Sequence, residues 1–214
     1  MTTENKTTKE ARKRYNRLAP FYDLMEGLAE RRYTDWRKLL WSKVEGKKIL
    51  EVGVGTGKNF LYYPPNAEIT AIDFSDRMLA RATERASRQK INVRLEQMDV
   101  QHLTFADNSF DTVIDSFVFC SVPDPIRGLK EIERVCQPGG KVVMLEHVLS
   151  ANPILTWIMN TINPAVTIFM GASINRRTVE NVNRSGLKLE RVTDLGAGIF
   201  KLIEARKLPS VESR

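Results

Sequence analysis

A short apolar run that ends in a glycine-rich loop is the feature that most constrains the fold of this chain. Residues 49–57 read Ile-Leu-Glu-Val-Gly-Val-Gly-Thr-Gly, which places glycines at Gly53, Gly55 and Gly57. Glycine lets a backbone turn tightly and approach a ligand closely, and a helix after such a loop presents free N–H groups. The segment therefore predicts a strand, a ligand-binding loop and a helix in succession.

The spacing of these glycines argues against two common nucleotide-binding loops. The dinucleotide pattern Gly-x-Gly-x-x-Gly would need a glycine where this chain has Lys58. A Walker A loop would need Ser or Thr after Gly57-Lys58, but the chain has Asn59, and it would need glycine at Val52. Both an oxidoreductase of the dinucleotide-binding type and a P-loop enzyme are therefore disfavoured.

Short apolar runs alternate with helical patterns along most of the chain. The predicted strands are Lys48–Val52, Glu68–Ile72, Asn92–Glu96, Phe110–Asp115, Lys141–Glu146, Leu187–Thr193 and Ile199–Ala205. The predicted helices are Lys9–Leu18, Phe21–Trp41, Ser75–Gln89 and Pro125–Val135, with a break near Pro20 between the first two. Strands that alternate with helices indicate an α/β fold with a mostly parallel sheet covered on both faces.

Composition indicates a globular protein without a metal centre. The chain has 214 residues, of which 42% are hydrophobic and 28% charged, so it can bury a core and is neither disordered nor a disulfide-stapled miniprotein. Its two cysteines form no Cys-x-x-Cys pair, and with two histidines no metal site is expected. The first thirty residues lack the apolar run of a secretory signal, which favours a reduced, cytoplasmic protein.

The positive charge is concentrated at the N-terminus. Residues 1–48 contain thirteen Lys or Arg against seven Asp or Glu, whereas the remaining chain is nearly balanced. A uniformly basic protein would suggest nucleic acid as partner, whereas a basic arm on a neutral body fits an anionic membrane surface or an acidic partner. A solvated helix face rich in Lys and Arg remains the alternative.

Residues 148–175 carry no formal charge. The stretch is long enough to span a bilayer, but Asn152, Pro153, Asn160, Asn163 and Pro164 interrupt it. It predicts two short apolar helices under a lid or at a membrane interface, rather than a transmembrane span. Ordinary buried helices at the sheet edge are the alternative.

Ordered motifs over residues 48–206, which include the fourth-strand block Phe110–Phe119, resemble the class I S-adenosylmethionine-dependent methyltransferases. Glu51 and the three glycines match the first motif, and Asp73 occupies the position of the carboxylate that binds both ribose hydroxyls. Asp99 matches the acidic residue near the adenine amino group, with Met98 and Val100 beside the ring. The cofactor-binding residues that the resemblance implies are Glu51, Gly53, Gly55, Gly57, Asp73, Phe74, Met78, Met98, Asp99, Val100 and Ser116.

This resemblance implies a Rossmann-like seven-stranded sheet whose last strand is antiparallel, with the cofactor across the strand C-terminal ends. It implies S-adenosylmethionine as cofactor and S-adenosylhomocysteine as product. The expected organisation is a basic helical lid at 1–45, a cofactor-binding domain at 46–207 with the uncharged insertion 148–175, and a tail at 208–214.

Motifs of nucleic-acid methyltransferases are absent from the sequence. The segment after the fourth strand reads Asp-Ser-Phe-Val-Phe from Asp115, where enzymes acting on amide or base nitrogens often carry Asn/Asp-Pro-Pro-Tyr/Phe. Cys120 lacks the Pro-Cys context of RNA C5 methyltransferases and is expected to be a small buried residue near the pocket. No nucleic-acid partner is therefore expected.

Two further resemblances bear on the acceptor. Residues 15–23 resemble the N-terminal element of quinone C-methyltransferases and bacterial phosphatidylethanolamine N-methyltransferases, in which this segment closes over the cofactor. Residues 146–148 and 175–178 resemble the membrane-associated thiol methyltransferase-like family. The predicted function is methylation of a hydrophobic or lipid acceptor, phosphatidylethanolamine nitrogen first, with a quinone ring carbon, a thiol or a non-catalytic cofactor sensor as alternatives.

The predicted acceptor site combines residues from the N-terminal segment, the middle and the second half of the chain. Candidate catalytic residues are Tyr15, Tyr22, Glu146 and His147, and candidate substrate-binding residues are Phe117, Cys120, Arg176 and Arg177. An imidazole with a reference pKa near 6.5 could accept a proton from an ammonium, phenol or thiol. A His147 hydrogen-bonded at a strand end, and arginines that lie on the surface, are the alternatives.

Overall fold

A computed structural model describes residues 6–26 and 30–209, without the side chains of 6, 21–26, 30–31, 169 and 170. The helices are α1 (Lys6–Glu26), α2 (Glu30–Trp41), α3 (Asp76–Gln89), α4 (Pro125–Val135), α5 (Pro153–Met170) and α6 (Thr178–Asn183). The strands are β1 (Lys48–Val52), β2 (Glu68–Asp73), β3 (Arg94–Gln97), β4 (Phe110–Ser116), β5 (Cys136–His147), β6 (Lys188–Gly196) and β7 (Phe200–Arg206). A short 3₁₀ helix, Lys58–Tyr62, follows the glycine loop.

One sheet contains all seven strands in the order β3-β2-β1-β4-β5-β7-β6. The first five strands are parallel, and β7 runs antiparallel to both β5 and β6. The predicted α/β fold with a mostly parallel seven-stranded sheet is confirmed. Because the strand order reverses beside β1, the general rule for open sheets places a ligand at the C-terminal ends of β1 and its neighbours.

Both faces of the sheet are covered, because successive residues of each central strand enter different cores. Leu50 packs in the core that includes Leu129 and Ile132 of α4, whereas Ile49 packs with Leu40 of α2. A third cluster joins the sheet to α3. This alternation is the two-residue period of a strand buried on both sides.

Helix α1 continues through Pro20, so the predicted break is wrong, and the second helix begins at Glu30 rather than Phe21. Proline lacks the N–H that would bond the carbonyl oxygen of Asn16. Arg77 Nη1 donates to that oxygen at 3.4 Å, and the neighbouring Ala19 is buried. A contact from α3 therefore offsets part of the cost of the proline.

Helix α5 is a single helix across Pro164, so the prediction of two short helices is wrong. Two of its asparagines do not end the helix but hydrogen-bond it to the segment that follows. Asn163 Oδ1 accepts from the backbone N–H of Ile174 at 2.8 Å, and Asn160 Oδ1 accepts from Asn175 Nδ2 at 3.0 Å. Within the part of the chain that the structure describes, no helix combines the length and apolar character needed to cross a membrane.

A matched pair of Leu→Ala variants tests the assignment of the core. Leu129 is fully buried and Leu61 is 72% exposed. We expect Leu129→Ala to lower the free energy of unfolding by about 2–5 kcal/mol, because the lost methyl groups leave a cavity. Leu61→Ala should change it by less than about 0.5 kcal/mol. Urea titration followed by circular dichroism measures both, and equal effects would contradict the packing described here.

Candidate active site

An open cavity of about 660 Å³ lies at the C-terminal ends of β1, β2 and β4. The residues that line it are Thr8, Tyr15, Val52, Gly53, Gly55, Ile72, Asp73, Phe74, Met78, Met98, Asp99, Val100, Gln101, Ser116, Phe117, Val118, Ser121, Val122 and Pro123.

At one position of the glycine loop, the backbone borders free space of this cavity. Gly53, Gly55 and Gly57 all adopt positive φ, which L-residues with side chains rarely do. A Cβ at Gly53 would overlap Val118 and one at Gly57 would overlap the Phe60 ring, but a Cβ at Gly55 would meet nothing within 4 Å. Gly55 thus borders free space in which a ligand can approach the loop.

Asp73 lies at the end of β2, where its carboxylate connects the glycine loop to α3. Its Oδ2 accepts from the Gly55 N–H at 2.9 Å and its Oδ1 from the Ser75 N–H at 2.8 Å. Burial raises the pKa of Asp73 to about 6, although these backbone hydrogen bonds favour the charged form. Each carboxylate oxygen can accept a further hydrogen bond, which suits a pair of ligand hydroxyls.

Asp99 is held by Gln101, a lining residue that the sequence motifs do not identify. The Gln101 side-chain amide donates to Asp99 Oδ2 at 2.9 Å and to Thr8 Oγ1 of α1 at 3.3 Å. The backbone N–H of Gln101 also donates to Asp99 Oδ1 at 2.9 Å. This carboxylate is therefore fixed at the cavity wall.

Helix α1 covers the cavity. The Tyr15 hydroxyl hydrogen-bonds to Ser121, and the Tyr15 ring meets Phe74 edge-on with centroids 5.5 Å apart. The next residue, Asn16, donates from its Nδ2 to Asp76 Oδ1 at 2.6 Å. The side chain of Tyr22 lies outside the described residues, so its role stays a prediction.

A buried polar network lies beneath the loop, between the cavity and α2. Glu51 Oε1 accepts from Asn59 Nδ2 at 2.6 Å, and its other oxygen accepts from the Tyr63 hydroxyl. Arg37 Nη1 donates to Asn59 Oδ1 at 2.9 Å and to Ser116 Oγ at 3.1 Å. Burial raises the pKa of Glu51, while Tyr63, Asn59 and the charge of Arg37 act in the opposite direction. Glu51 thus binds residues of the network beneath the loop and is not among the residues that line the cavity.

Glu146 is fully buried and supports the turn after β4. Its Oε1 accepts from the backbone N–H groups of Val118 at 2.7 Å and Phe119 at 3.0 Å. Burial, followed by the charge of Glu146, raises the pKa of Asp115 well above its ordinary value, which favours the protonated form of Asp115 beside Glu146. Burial also raises the pKa of Glu146, against the hydrogen bonds that it accepts.

His147 adjoins a half-buried aromatic cluster that consists of Tyr33, Trp36, Phe117 and Phe200. Ring centroids are 4.9 Å apart for Tyr33–Phe117 and for Trp36–Phe200, and 5.2 Å apart for His147–Phe200. Burial lowers the pKa of His147, and its buried Nδ1 has no hydrogen-bond partner within the described residues. Phe117 belongs both to this cluster and to the cavity wall.

The remaining substrate-binding candidates lie outside the cavity lining. Burial raises the pKa of the Cys120 thiol to about 12, so it is not a thiolate at neutral pH. Arg176 Nη2 donates to the carbonyl oxygen of Val122 at 2.9 Å, and burial lowers the pKa of Arg176. Arg177 is exposed and pairs with Glu180 at 3.3 Å.

The structure thus divides the sequence-predicted site residues into two groups. Those that line the cavity are Tyr15, Gly53, Gly55, Asp73, Phe74, Met78, Met98, Asp99, Val100, Ser116 and Phe117. Those that do not are Glu51, Gly57, Cys120, Glu146, His147, Arg176 and Arg177. Sequence reasoning missed Thr8, Arg37, Asn59, Gln101 and Ser121, which lie in no motif and meet only after folding. Among the described residues, no cluster of three potential metal ligands occurs.

The buried carboxyl pair predicts a pH-dependent stability. The pKa of Asp115 is raised well above the ordinary value of 3.8 in the native state, so the pair lowers the free energy of unfolding as pH rises above that value. Asp115→Asn cannot titrate, and its side-chain amide has N–H groups that can donate to Glu146. We expect the free energy of unfolding of Asp115→Asn, minus that of the unmodified chain, to rise by up to about 1.4 kcal/mol per pH unit between pH 5 and 7.

Urea unfolding at pH 5, 6 and 7 measures this difference. Asp111→Asn, in the same strand, is the control. Although burial opposes it, the backbone N–H groups of Lys47 and Lys48 keep the pKa of Asp111 below its ordinary value. Its effect should therefore be constant over this interval. A constant effect for Asp115→Asn as well would contradict the protonated pair.

Comparison with known proteins agrees with this site. Residues 50–144 match the methyltransferase domain family. A phosphatidylethanolamine N-methyltransferase of Cereibacter sphaeroides is 44% identical over 104 residues, which are 48% of this chain and 51% of that protein. A demethylmenaquinone methyltransferase of Staphylococcus aureus is 36% identical over 67% of this chain and 63% of its own length. The chain thus spans about half to three-fifths of these relatives' length.

Solved structures share the fold. A methyltransferase of Thermotoga maritima superposes with a TM-score of 0.69 over 91% of this chain and 98% of its own, at 20% identity. A geranyl diphosphate methyltransferase solved with sinefungin gives 0.69 over 82% and 77%, at 14% identity. Residues 50–144 thus match the methyltransferase domain family, and the cavity beside Gly55, Asp73 and Asp99 lies in a fold that the chain shares with solved methyltransferases.

Proposed function

We propose that this chain methylates a hydrophobic, membrane-borne acceptor, with the amine of phosphatidylethanolamine as the leading candidate. The observation that best supports this proposal is that the exposed apolar helix α5 contacts the basic helix α1, which covers the cofactor cavity. Arg14 Nη1 of α1 donates to the carbonyl oxygen of Thr167 in α5 at 3.0 Å. A lipid could therefore approach the cavity beside a surface suited to a bilayer.

The two helices present complementary membrane-binding chemistry. On α1, Lys9, Lys13 and Arg17 are exposed and share one face at a spacing of four residues. On α5, large apolar side chains are exposed, with Trp157 at 69%. They are Ile154, Leu155, Trp157, Ile158, Ile162 and Ile168. Each cation near an anionic bilayer contributes about 1 kcal/mol, and apolar side chains add insertion. The chain would then act peripherally on the cytoplasmic face of a membrane.

Residues of this chain align the reactants and exclude water. S-adenosylmethionine supplies an electrophilic sulfonium methyl group, so the principal task of the protein is orientation. Asp73 and Asp99 would hold the ribose and adenine, Gly55 would allow close approach, and α1 closes the cavity through Tyr15. Glu146 acts as a positioning residue, since it fixes the backbone that follows Phe117.

An amine acceptor also fits the surroundings of His147. An ammonium nitrogen must lose a proton before it can attack a methyl group, and an imidazole whose pKa is lowered is neutral and able to accept one at pH 7. The half-buried aromatic cluster beside it would attract a methylated ammonium through cation–π contacts. We assign the lipid phosphate to Arg176 and Arg177.

The alternatives differ in what the aromatic cluster would hold. A quinone precursor would stack on these rings and undergo C-methylation, consistent with the named activity of the Staphylococcus aureus relative. A thiol acceptor would use His147 as base. A cofactor sensor would bind S-adenosylmethionine and transfer its methyl group to no acceptor.

Asp73→Ala tests the cofactor assignment. We expect its affinity for S-adenosylmethionine, measured by calorimetry, to fall by about 1.5–3 kcal/mol, since a charged hydrogen-bond acceptor is lost. In the unmodified chain the affinity should be constant above pH 7 and fall below the Asp73 pKa of about 6, because the protonated carboxyl accepts less well. Glu68→Ala, at the exposed start of the same strand, is the control. Unchanged affinity for Asp73→Ala would remove Asp73 from the site.

Transfer of a labelled methyl group to a total lipid extract, with product identification, tests the acceptor. Label in phosphatidylethanolamine derivatives supports the proposal, label in a quinone or a thiol selects an alternative, and no label with any acceptor supports the sensor. With anionic vesicles at low salt, we expect cosedimentation that weakens in neutral vesicles and at high salt.

A triple variant that replaces Lys9, Lys13 and Arg17 by Gln should lose most vesicle binding. The matched control replaces three exposed cations on other elements by Gln, namely Arg88, Lys130 and Lys188. Equal binding by both triple variants would show that net charge, rather than the α1 face, attracts the membrane.

A further inference from the structure

Each of the two carboxylates that face the cavity is held by a residue that also holds α1. At the Asp99 end this residue is Gln101, which is 5% exposed. Its amide nitrogen lies 2.9 Å from Asp99 Oδ2 and 3.3 Å from Thr8 Oγ1, and its amide oxygen accepts from the Asp124 N–H at 3.0 Å. Gln101 is thereby fixed at both ends of its amide.

At the Asp73 end the corresponding residue is Ser75, which is fully buried. Its backbone N–H donates to Asp73 Oδ1 at 2.8 Å, while its hydroxyl donates to Asn16 Oδ1 of α1 at 2.6 Å. The same hydroxyl accepts from the Met78 N–H at 3.1 Å and caps α3. Thr8 and Asn16 therefore attach α1 to both ends of the cofactor site.

We propose that Gln101 and Ser75 are positioning residues that couple cofactor binding to the docking of α1, with Thr8 and Asn16 as the contacts on the helix. With α1 docked, both bridging side chains are hydrogen-bonded and fixed, and so are the two carboxylates that they hold. Coupling between two binding events is reciprocal. Cofactor bound by Asp73 and Asp99 then stabilises the docked helix by the same factor by which docking strengthens cofactor binding.

This inference rests on the assignment of Asp73 and Asp99 to the cofactor, and it adds a role for residues that no motif identifies. It concerns the α1 side of each bridge, where variants leave both carboxylates in place. Asn16 lies outside the cavity lining, so its variant separates coupling from direct recognition, whereas Thr8 lines the cavity.

Thr8→Val and Asn16→Ala test the coupling in the full chain. Thr8→Val removes the hydrogen bond to Gln101, and Asn16→Ala removes those to Ser75 and Asp76, so calorimetry should show S-adenosylmethionine affinity weakened roughly three- to tenfold in each variant. Thr8→Ser, which keeps the hydroxyl, should bind like the unmodified chain. Thr7→Val, an exposed neighbour in the same helix, is the matched control and should also bind normally.

Limited trypsin digestion provides a second readout that does not depend on turnover. Lys9, Lys13 and Arg17 are exposed cleavage sites on α1. Excess S-adenosylhomocysteine should slow cleavage there in the unmodified chain and in Thr7→Val, and protect Thr8→Val and Asn16→Ala much less at equal site occupancy. Thermal melting of each variant checks that it remains folded.

Unchanged affinity and full protection in both Thr8→Val and Asn16→Ala would overturn the coupling while leaving the cofactor site intact. Failure of the unmodified chain to bind S-adenosylmethionine would instead overturn the carboxylate assignment, and the coupling with it. Equal losses in Thr7→Val and Thr8→Val would show a general effect on α1 rather than the bridge.

Discussion

The buried carboxylate of Glu146 organises the region in which the cofactor cavity meets the aromatic cluster. It accepts from two successive backbone N–H groups after β4, those of Val118 and Phe119. The preceding residue, Phe117, adopts a φ of 59°, which is unfavourable for a bulky side chain. The two hydrogen bonds to one buried carboxyl oxygen fix the backbone that directly follows Phe117. With Phe117 so held, its ring lies both in the cavity wall and against Tyr33.

Helix α1 has two faces that meet different requirements. Its inner face buries Thr8, Ala11 and Ala19, and Thr8 and Tyr15 line the cavity. Its outer face leaves cations in water, where they cost little to hold and can meet an anionic surface. Under the proposed membrane-binding function, this helix would connect the membrane to the cofactor site, because hydrogen bonds at both ends of the cavity fix its position.

The sequence was sufficient to predict the sheet, and it was insufficient for contacts that bring distant segments together. The bounds of β1 and α4 agree with the predicted ones, since alternation, capping and the glycine loop are local signals. The break expected at Pro20 fails because Arg77, far along the chain, donates to the carbonyl oxygen that proline leaves free. The predicted β5 began five residues late because Cys136 already pairs with Phe110 before a shift in register. Arg37 and Gln101 lie in no motif, so only the folded chain reveals their contacts.

The matched family region and the acceptor side of the molecule are different parts of the chain. Residues 50–144 contain the glycine loop, both cofactor carboxylates and Phe117, whereas Tyr33, Trp36, His147 and Phe200 all lie outside them. Helices α1 and α5 lie outside as well. A [4+2]-cyclase has the same fold at a TM-score of 0.68, so the fold alone does not determine the reaction. The proposed cofactor contacts of Asp73 and Asp99 lie within the matched region, so we expect the segments before and after it to contribute to the selection of the acceptor. These segments are the ones in which this chain combines a basic helix, an exposed apolar helix and an aromatic cluster with a neutral imidazole.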